Sequence, residues 1–182
     1  MFHAVLDSCV LFPMYLRDTL LCASEAGFYL PFWSQEILDG ATRNLVSTGR
    51  MSLEKAIKLE TRIKVHFPEA IVDVPDELIG FMTNHPGDRH VLAAAVKARA
   101  DIIVTSNLKH FQDKDLAPWN VQAQSPDEFL TYLYDLNPEK MVQVLRRQSQ
   151  GLKNPPLDFL ALLDLLSREV PGFTSKFSSL QF

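Results

Sequence analysis

Residues 88–107 read DRHVLAAAVKARADIIVTSN, and this stretch gives the clearest signal for the fold of the chain. Its first half predicts an alanine-rich helix from Asp88 to about Arg99, with an apolar face that should pack closely in a core. Its second half contains the apolar run from Ile102 to Thr105, which is typical of a strand covered on both faces. A helix next to a fully covered strand favours an α/β domain with a parallel sheet.

The rest of the chain continues the alternation of strands and helices. In chain order the pattern predicts a strand over 2–6, a helix over 14–26, a strand over 28–33, helices over 34–45 and 53–65, a strand over 70–74, the helix and strand of 88–105, a short strand over 120–124 and a helix that begins at Ser125. This order predicts an α/β domain with a mostly parallel sheet over residues 1–134. Residues 135–182 are predicted to form a helical extension, with two helices over 138–180 that are separated by Pro155 and Pro156.

Composition and charge limit the classes of protein that the chain can represent. The 182 residues are 47% apolar, which suits one domain with an appendage, and the formal net charge is −4. This charge argues against a protein that coats nucleic acid non-specifically, but it allows an enzyme that holds nucleic acid through a local patch. Cys9 and Cys22 fit no disulfide or zinc pattern, and we expect buried thiols in a reducing cytosol. Because no signal peptide or membrane span is recognisable, a cytoplasmic protein is predicted.

Polar side chains are predicted at three junctions between strands and helices. Asp7 follows the first strand, Asp88 begins the alanine-rich helix, and Asn107 follows the buried strand. In a parallel sheet these places lie at the carboxyl edge, where ligands bind. Each residue alone could be a helix cap or a turn residue. Acids that gather at such an edge favour a divalent metal ion and phosphoryl chemistry.

Several of these segments resemble the PIN domains, metal-dependent ribonucleases that include the VapC-type toxins of bacterial toxin–antitoxin pairs. The resembling segments are 2–7 (FHAVLD), 34–39 (SQEILD), 88–95 (DRHVLAAA) and 104–111 (VTSNLKHF). The resemblance covers residues 2–134, and the last helices look like those of a larger subgroup of VapC-type toxins. It implies a PIN-like three-layer α/β/α domain followed by the helical extension.

The resemblance also implies a set of metal ligands. Asp7 and Asp88 match two family acids directly, and Asn107 stands where the family often has aspartate. These three residues are the implied ligands of Mg²⁺ or Mn²⁺. Asparagine binds a hard cation through its carbonyl oxygen but adds no charge, so a weaker metal site is expected.

The position of a further family acid holds Gly40 in this chain. Glu36 lies one turn earlier on the same helix face, and Asp39 is adjacent in sequence but turned by about 100°. Either carboxylate is expected to bind the ion through water or to help deprotonate the attacking water. The catalytic set that the resemblance implies is therefore completed by Glu36 and Asp39. Glycine also lowers helix propensity by about 1 kcal/mol relative to alanine, which suggests that Gly40 replaced a functional residue.

The implied activity is a metal-dependent endoribonuclease that acts on RNA and is neutralised by a small antitoxin protein, without a membrane partner. A homodimer is left open, and Gly40 and Asn107 could reduce the activity. One alternative is a catalytically weakened PIN domain that binds RNA or a protein. Another is a receiver-like or phosphatase-like protein phosphorylated at Asp7, although neither a downstream lysine after a strand nor an acidic pair beside Asp7 is present.

Neighbouring residues permit both functional and purely structural interpretations. Thr105 or Ser106 could orient a carboxylate or touch a phosphate. Lys109 and His110 could hold and stack an unpaired base, whereas Phe111 is expected to pack in the core. The basic residues Arg43, Arg50, Lys55, Lys58, Arg62 and Lys64 could form an RNA patch or simply the solvated faces of two helices.

Overall fold

Four parallel strands form the sheet of the computed structural model, which describes residues 1–178. The strands are β1 (His3–Leu6), β2 (Leu30–Phe32), β3 (Ile102–Val104) and β4 (Gln122–Gln124). Their order in the sheet is β2-β1-β3-β4, and every pair is parallel. Val5 of β1 is in register with Phe32 on one side and with Ile103 on the other. The two central strands are largely buried, as the apolar run in β3 predicts.

Helices flank this sheet in the α/β/α arrangement expected for a PIN-like domain, and more helices follow the last strand. The helices are α1 (Ser8–Leu11), α2 (Met14–Glu25), α3 (Gln35–Ser47), α4 (Leu53–His66), α5 (Asp76–Gly80), α6 (Arg89–Ala98), α7 (Asp113–Leu116), α8 (Pro126–Leu136), α9 (Pro138–Gly151), α10 (Phe159–Leu166) and α11 (Pro171–Ser175). Short 3-10 turns lie at Pro68–Ala70, Pro86–Asp88, Leu108–His110 and Ala117–Trp119. None of the helices within residues 1–178 is long and apolar enough to cross a membrane.

The strand predicted over residues 70–74 is wrong. A single bridge between Trp33 and Ile71 is all that this segment contributes to the sheet, and a 3-10 turn occupies its beginning. Pro75 ends the segment, because its nitrogen cannot donate to a ladder. Ile71 is also exposed, so a longer pairing would bury little apolar surface.

The prediction of two helices after residue 138 is also wrong, because α9, α10 and α11 are separate helices. Pro171 is the first residue of α11 and lacks the N–H that would continue the helix from α10. The carboxylate of Asp127, at the start of α8, accepts the amides of Gly172 at 3.0 Å and Phe173 at 2.7 Å. The first turn of α11 is therefore fixed to α8. Residues 179 and 180 of the predicted second helix lie outside the described residues.

The C-terminal helices also contact the sheet domain through buried polar groups. Thr19 of α2 donates its hydroxyl to the side chain of Gln148 of α9 at 2.8 Å. The amide nitrogen of the Gln148 side chain donates to the carbonyl of Tyr15 at 3.1 Å. These two hydrogen bonds satisfy the Thr19 hydroxyl and the Gln148 side chain where α9 packs on α2.

Candidate metal centre

Asp7 lies at the carboxyl end of β1 and is only 2% exposed. Its backbone amide continues the strand by donating to Val104 at 3.1 Å. Its side chain caps α1, because one carboxylate oxygen accepts the amide of Ser8 at 2.6 Å. Among residues 1–178, no lysine, arginine or histidine forms an ion pair with this carboxylate. A buried charge with hydrogen bonds but no counter-ion is a favourable place for a cation.

Thr105 orients the second oxygen of Asp7, as the sequence predicts for Thr105 or Ser106. Its fully buried hydroxyl donates to Oδ2 of Asp7 at 2.7 Å and accepts the amide of Asn107 at 3.1 Å. The end of β3 is therefore joined to the end of β1 by a side chain as well as by the sheet. A hydrogen bond to an ionised group contributes about 1.5–3 kcal/mol.

Cys9 completes the surroundings of Asp7, a role that no pattern in the sequence indicates. Its sulfur lies 3.4 Å from Oδ2 of Asp7 and accepts the amide of Ser106 at 3.3 Å. Burial and the nearby charge of Asp7 raise the pKa of the Cys9 thiol to about 11. The thiol therefore stays protonated near neutral pH and acts as an S–H donor to the carboxylate. Both Cys9 and Cys22 are free and partly buried.

We expect Thr105→Val to weaken both the fold and the metal centre. Valine keeps the shape but leaves Asp7 without its 2.7 Å hydroxyl donor, which should lower the free energy of unfolding by about 1.5–3 kcal/mol. Urea unfolding and Mn²⁺ titration measure the two effects. The matched control is Thr83→Val, because Thr83 donates at the same 2.7 Å distance to Asp115, which is not a proposed metal ligand. Equal Mn²⁺ affinities of the two variants would contradict a role for Thr105 at the metal centre.

Asp88 precedes α6 and is joined to the turn that follows β3. Its Oδ2 accepts Nδ1–H of His110 at 2.6 Å, and its side chain is 19% exposed. The ring of His85 stacks on the ring of His110, with centroids 3.9 Å apart and planes 10° from parallel. His85, Asp88 and His110 each offer one possible metal-ligand atom, and these three atoms lie within 4.8 Å of one another. Within residues 1–178, this is the one such group of three or more acidic, histidine or cysteine side chains.

The topology places Asp88 at the same edge of the sheet as Asp7. Asp101, which follows α6, donates its amide to His3 at the opposite, amino end of β1. Because α6 runs back across the sheet, its first turn lies at the carboxyl edge. Asn107 is partly buried in the turn at the end of β3, and His110 of the same turn bonds Asp88. Asp7, Asp88 and Asn107 thus belong to one edge, although Asp88 is bonded to a histidine that the sequence did not predict.

Glu36 and Asp39 contact different parts of the molecule. The carboxylate of Glu36 is 58% exposed and lies 3.9 Å from Nδ1 of His90, two residues after Asp88. Asp39 accepts a hydrogen bond at 2.7 Å from Gln35, whose side chain also bonds Glu60 and Lys64 of α4. Glu36 is therefore held beside the start of α6, whereas Asp39 belongs to a network between α3 and α4.

Gly40 allows α3 to approach α1 closely. A Cβ atom at this position would lie 3.1 Å from Cβ and 3.3 Å from Oγ of Ser8. Ser8 follows Asp7 directly, so position 40 faces the candidate metal centre. The structure thus supplies a steric reason for the glycine that the sequence alone did not suggest.

The remaining predicted contacts are mostly structural. Phe111 is 3% exposed and packs in the core, as expected. Lys58 pairs with Glu54 at 2.6 Å, and Lys64 pairs with Glu60 at 2.8 Å. Because two of the six basic residues have acidic partners, this surface is less positive than the sequence suggested.

Comparison with known proteins agrees with this architecture. Residues 3–109 match the model of a PIN domain, and residues 126–178 match the model of the VapC50 C-terminal domain. The chain is 46% identical over 101 residues to a Mycobacterium tuberculosis protein named "Putative ribonuclease VapC50". The match covers 56% of this chain and 60% of that relative, and no solved structure matches this chain. The chain therefore belongs to the PIN-domain family, with a C-terminal segment of the VapC50 type.

Proposed function

We propose that the chain is a divalent-metal-dependent endoribonuclease and the toxin of a bacterial toxin–antitoxin pair. The observation that carries the proposal is the carboxylate of Asp7, which is buried, oriented by Thr105 and without an ion-pair partner among residues 1–178. The name of the Mycobacterium tuberculosis relative and the PIN-domain match support the same activity. Family membership argues against the receiver-like alternative.

Asp7, Asp88 and Asn107 are the proposed ligands of Mg²⁺ or Mn²⁺. The donor set fits such an ion, because carboxylate and amide oxygens suit hard cations. The Ser8 hydroxyl, 3.3 Å from Oδ1 of Asp7, and the Cys9 thiol can both rotate away and release lone pairs. Oδ2 of Asp88 is bonded to His110, which leaves its other oxygen for the ion.

The proposed reaction is hydrolysis of an RNA phosphodiester bond. The oxygen of water forms a bond to phosphorus, the bond from phosphorus to the leaving ribose oxygen breaks, and that oxygen takes up a proton. A bound divalent ion supplies an activated water and charge neutralisation for this chemistry. Thr105 holds the carboxylate of Asp7 in one orientation throughout. Glu36 is better placed than Asp39 to accept the proton of the water, because Asp39 already bonds Gln35.

Removal of metal tests the proposal directly. Purified protein should lose RNA cleavage in EDTA and regain it with Mn²⁺ or Mg²⁺, because the proposed ligands supply no activated water by themselves. Cleavage of a mixed-sequence RNA is measured on a denaturing gel, with Ca²⁺ as a control that is larger and prefers more ligands. Undiminished cleavage in EDTA would contradict metal dependence.

The proposal also includes the partners, the location in the cell and the domain boundary. RNA would be the substrate, a small antitoxin protein would be the inhibitor, and a homodimer is compatible with both. We propose action in the cytoplasm, and a nuclease domain over 1–134 with the extension over 135–182. Size-exclusion chromatography with light scattering tests the oligomeric state, and limited proteolysis tests the boundary.

A catalytically weakened PIN domain that binds RNA or a protein is the second candidate function. It is favoured by Gly40, which faces Ser8 where the resemblance expects an acid. Under this alternative the chain binds RNA without cleaving it, and Gly40→Glu, which requires Ser8 to move by a few tenths of an ångström, should strengthen Mn²⁺ binding and raise cleavage at least tenfold. The matched control is Gly80→Glu, because nothing lies within 4 Å of a Cβ at Gly80. Unchanged Mn²⁺ affinity and cleavage in folded Gly40→Glu protein would contradict the weakened-enzyme account.

A further inference from the structure

The pair of stacked imidazoles beside Asp88 has no role in the proposed hydrolysis. His85 and His110 come from two separate turns, one before α6 and one after β3. The backbone joins these turns as well, because the amide of His85 donates to the carbonyl of His110 at 3.3 Å. The two rings are thus held together by both main chain and stacking, at the surface of the carboxyl edge.

We propose that His85 and His110 bind a borderline transition-metal ion of the Zn²⁺ class, with Asp88 as the residue that orients His110. The site is distinct from the proposed Mg²⁺ centre because its ligand atoms are nitrogens. Imidazole nitrogen suits Zn²⁺ and its neighbours, whereas Mg²⁺ prefers oxygen. Two protein nitrogens completed by water would make a site of modest affinity.

The hydrogen bonds around His110 favour this role. Its Nδ1–H donates to Asp88 at 2.6 Å, so in the neutral ring the lone pair lies on Nε2. Histidines that bind metal ions commonly donate their other nitrogen to a carboxylate, which fixes the tautomer and makes the ring a better ligand. Asp88 and His110 have this arrangement without any rearrangement of their 2.6 Å contact.

His85 supplies the second nitrogen at low cost. Its Nδ1 accepts the amide of Gly87 at 3.2 Å, and both residues are exposed, so water can replace this contact. Lone pairs of parallel stacked rings do not converge, so the ring of His85 must turn to share an ion with His110. An exposed side chain makes such a change of rotamer quickly.

Occupancy of this site should inhibit the nuclease, a consequence that rests on the proposed function. A divalent ion on Nε2 of His110 is separated by one imidazole ring from the Asp88 carboxylate that the proposed Mg²⁺ centre uses. Repulsion between two divalent ions on neighbouring ligands then lowers the affinity for Mg²⁺. Zn²⁺ would thus act as an inhibitor in the presence of Mg²⁺.

Zn²⁺ titration of the full metal-free chain tests the site without any measurement of activity. We expect one Zn²⁺ per chain, measured against a chromophoric chelator, and at least about tenfold weaker binding in His85→Gln, in His110→Gln and in Asp88→Asn. His66→Gln is the matched control, because His66 is exposed on α4 and should leave the affinity unchanged. Nitrogen-15 NMR of the histidine rings should show Zn²⁺ on Nε2 of His110 with Nδ1 still protonated.

Other results would overturn the proposal. Wild-type affinity in both His85→Gln and His110→Gln, or loss of Zn²⁺ binding in Cys9→Ser instead, would place the ion elsewhere. To test the inhibition, the rate of RNA cleavage in Mg²⁺ is measured with and without Zn²⁺, and the ratio of the two rates is taken for each variant. Zn²⁺ binding to the two histidines without RNA cleavage under any condition would support the site and overturn the proposed function. RNA cleavage without specific Zn²⁺ binding would support the proposed function and overturn the zinc site.

Discussion

Asp7→Asn should reduce RNA cleavage at least about 100-fold, because several kcal/mol of transition-state stabilisation depend on a correctly held metal ion. Asparagine has nearly the same shape and can still accept the amide of Ser8 through its carbonyl oxygen. It lacks the negative charge that attracts the cation into a site that is 2% exposed to solvent. The same variant should bind Mn²⁺ more weakly, and both quantities are measured on the same protein preparation.

The control for this prediction is Asp164→Asn, which removes an exposed acid from α10, in the C-terminal helical segment. Circular dichroism and urea unfolding show whether each variant is folded under the assay conditions. Equal cleavage rates for folded Asp7→Asn and wild type would contradict the assignment of Asp7 as a metal ligand. Such a result would favour the RNA- or protein-binding candidate.

Phe129→Ala should lower the free energy of unfolding by about 3–5 kcal/mol, the usual cost of removing a large buried aromatic side chain. Phe129 of α8 is fully buried, and its ring meets Tyr29 edge to face at 5.0 Å and Phe2 at 6.1 Å. The substitution therefore leaves a cavity where α8 meets the residues next to β1 and β2. Urea unfolding at constant temperature measures the change.

Leu136→Ala on the same helix is the matched control, because this leucine is 53% exposed. An exposed leucine should contribute no more than about 0.5 kcal/mol. Similar costs for the two variants would show that α8 does not depend on the aromatic contact with the sheet domain.

Strong local signals made much of the fold predictable from sequence. The apolar run in β3 and the alanine-rich α6 appear where they were expected, and the helix expected at Ser125 begins there, with a capping box between Ser125 and Glu128. The failures are segments whose state depends on distant neighbours. Residues 70–74 have a strand-like composition, but only Ile71 forms a bridge, with Trp33. No local pattern in the sequence shows how many residues of a neighbouring strand can pair with such a segment.

The candidate site was predictable only in part, for a similar reason. The position of Asp7 follows from the end of a strand, and Thr105 follows from the end of the next buried strand. His85 contacts His110 across 25 residues of sequence, and that contact depends on the geometry of two turns. The sequence offered only a histidine in a Pro-Gly turn three residues before Asp88, which is a weak signal for an imidazole pair.

The hydrogen bond between Asp7 and Thr105 also has a consequence for the synthesis of the protein. Its partners are 98 residues apart in the chain, and β1 pairs with β3 over the same distance. A nascent chain can pair β1 with β2 early, but one edge of β1 stays unpaired and Asp7 stays unoriented until more than half of the 182 residues have been made. Contacts of such long range form slowly. A truncated product that stops before Thr105 would have no assembled centre, so an interrupted translation event would release a fragment without the proposed nuclease activity.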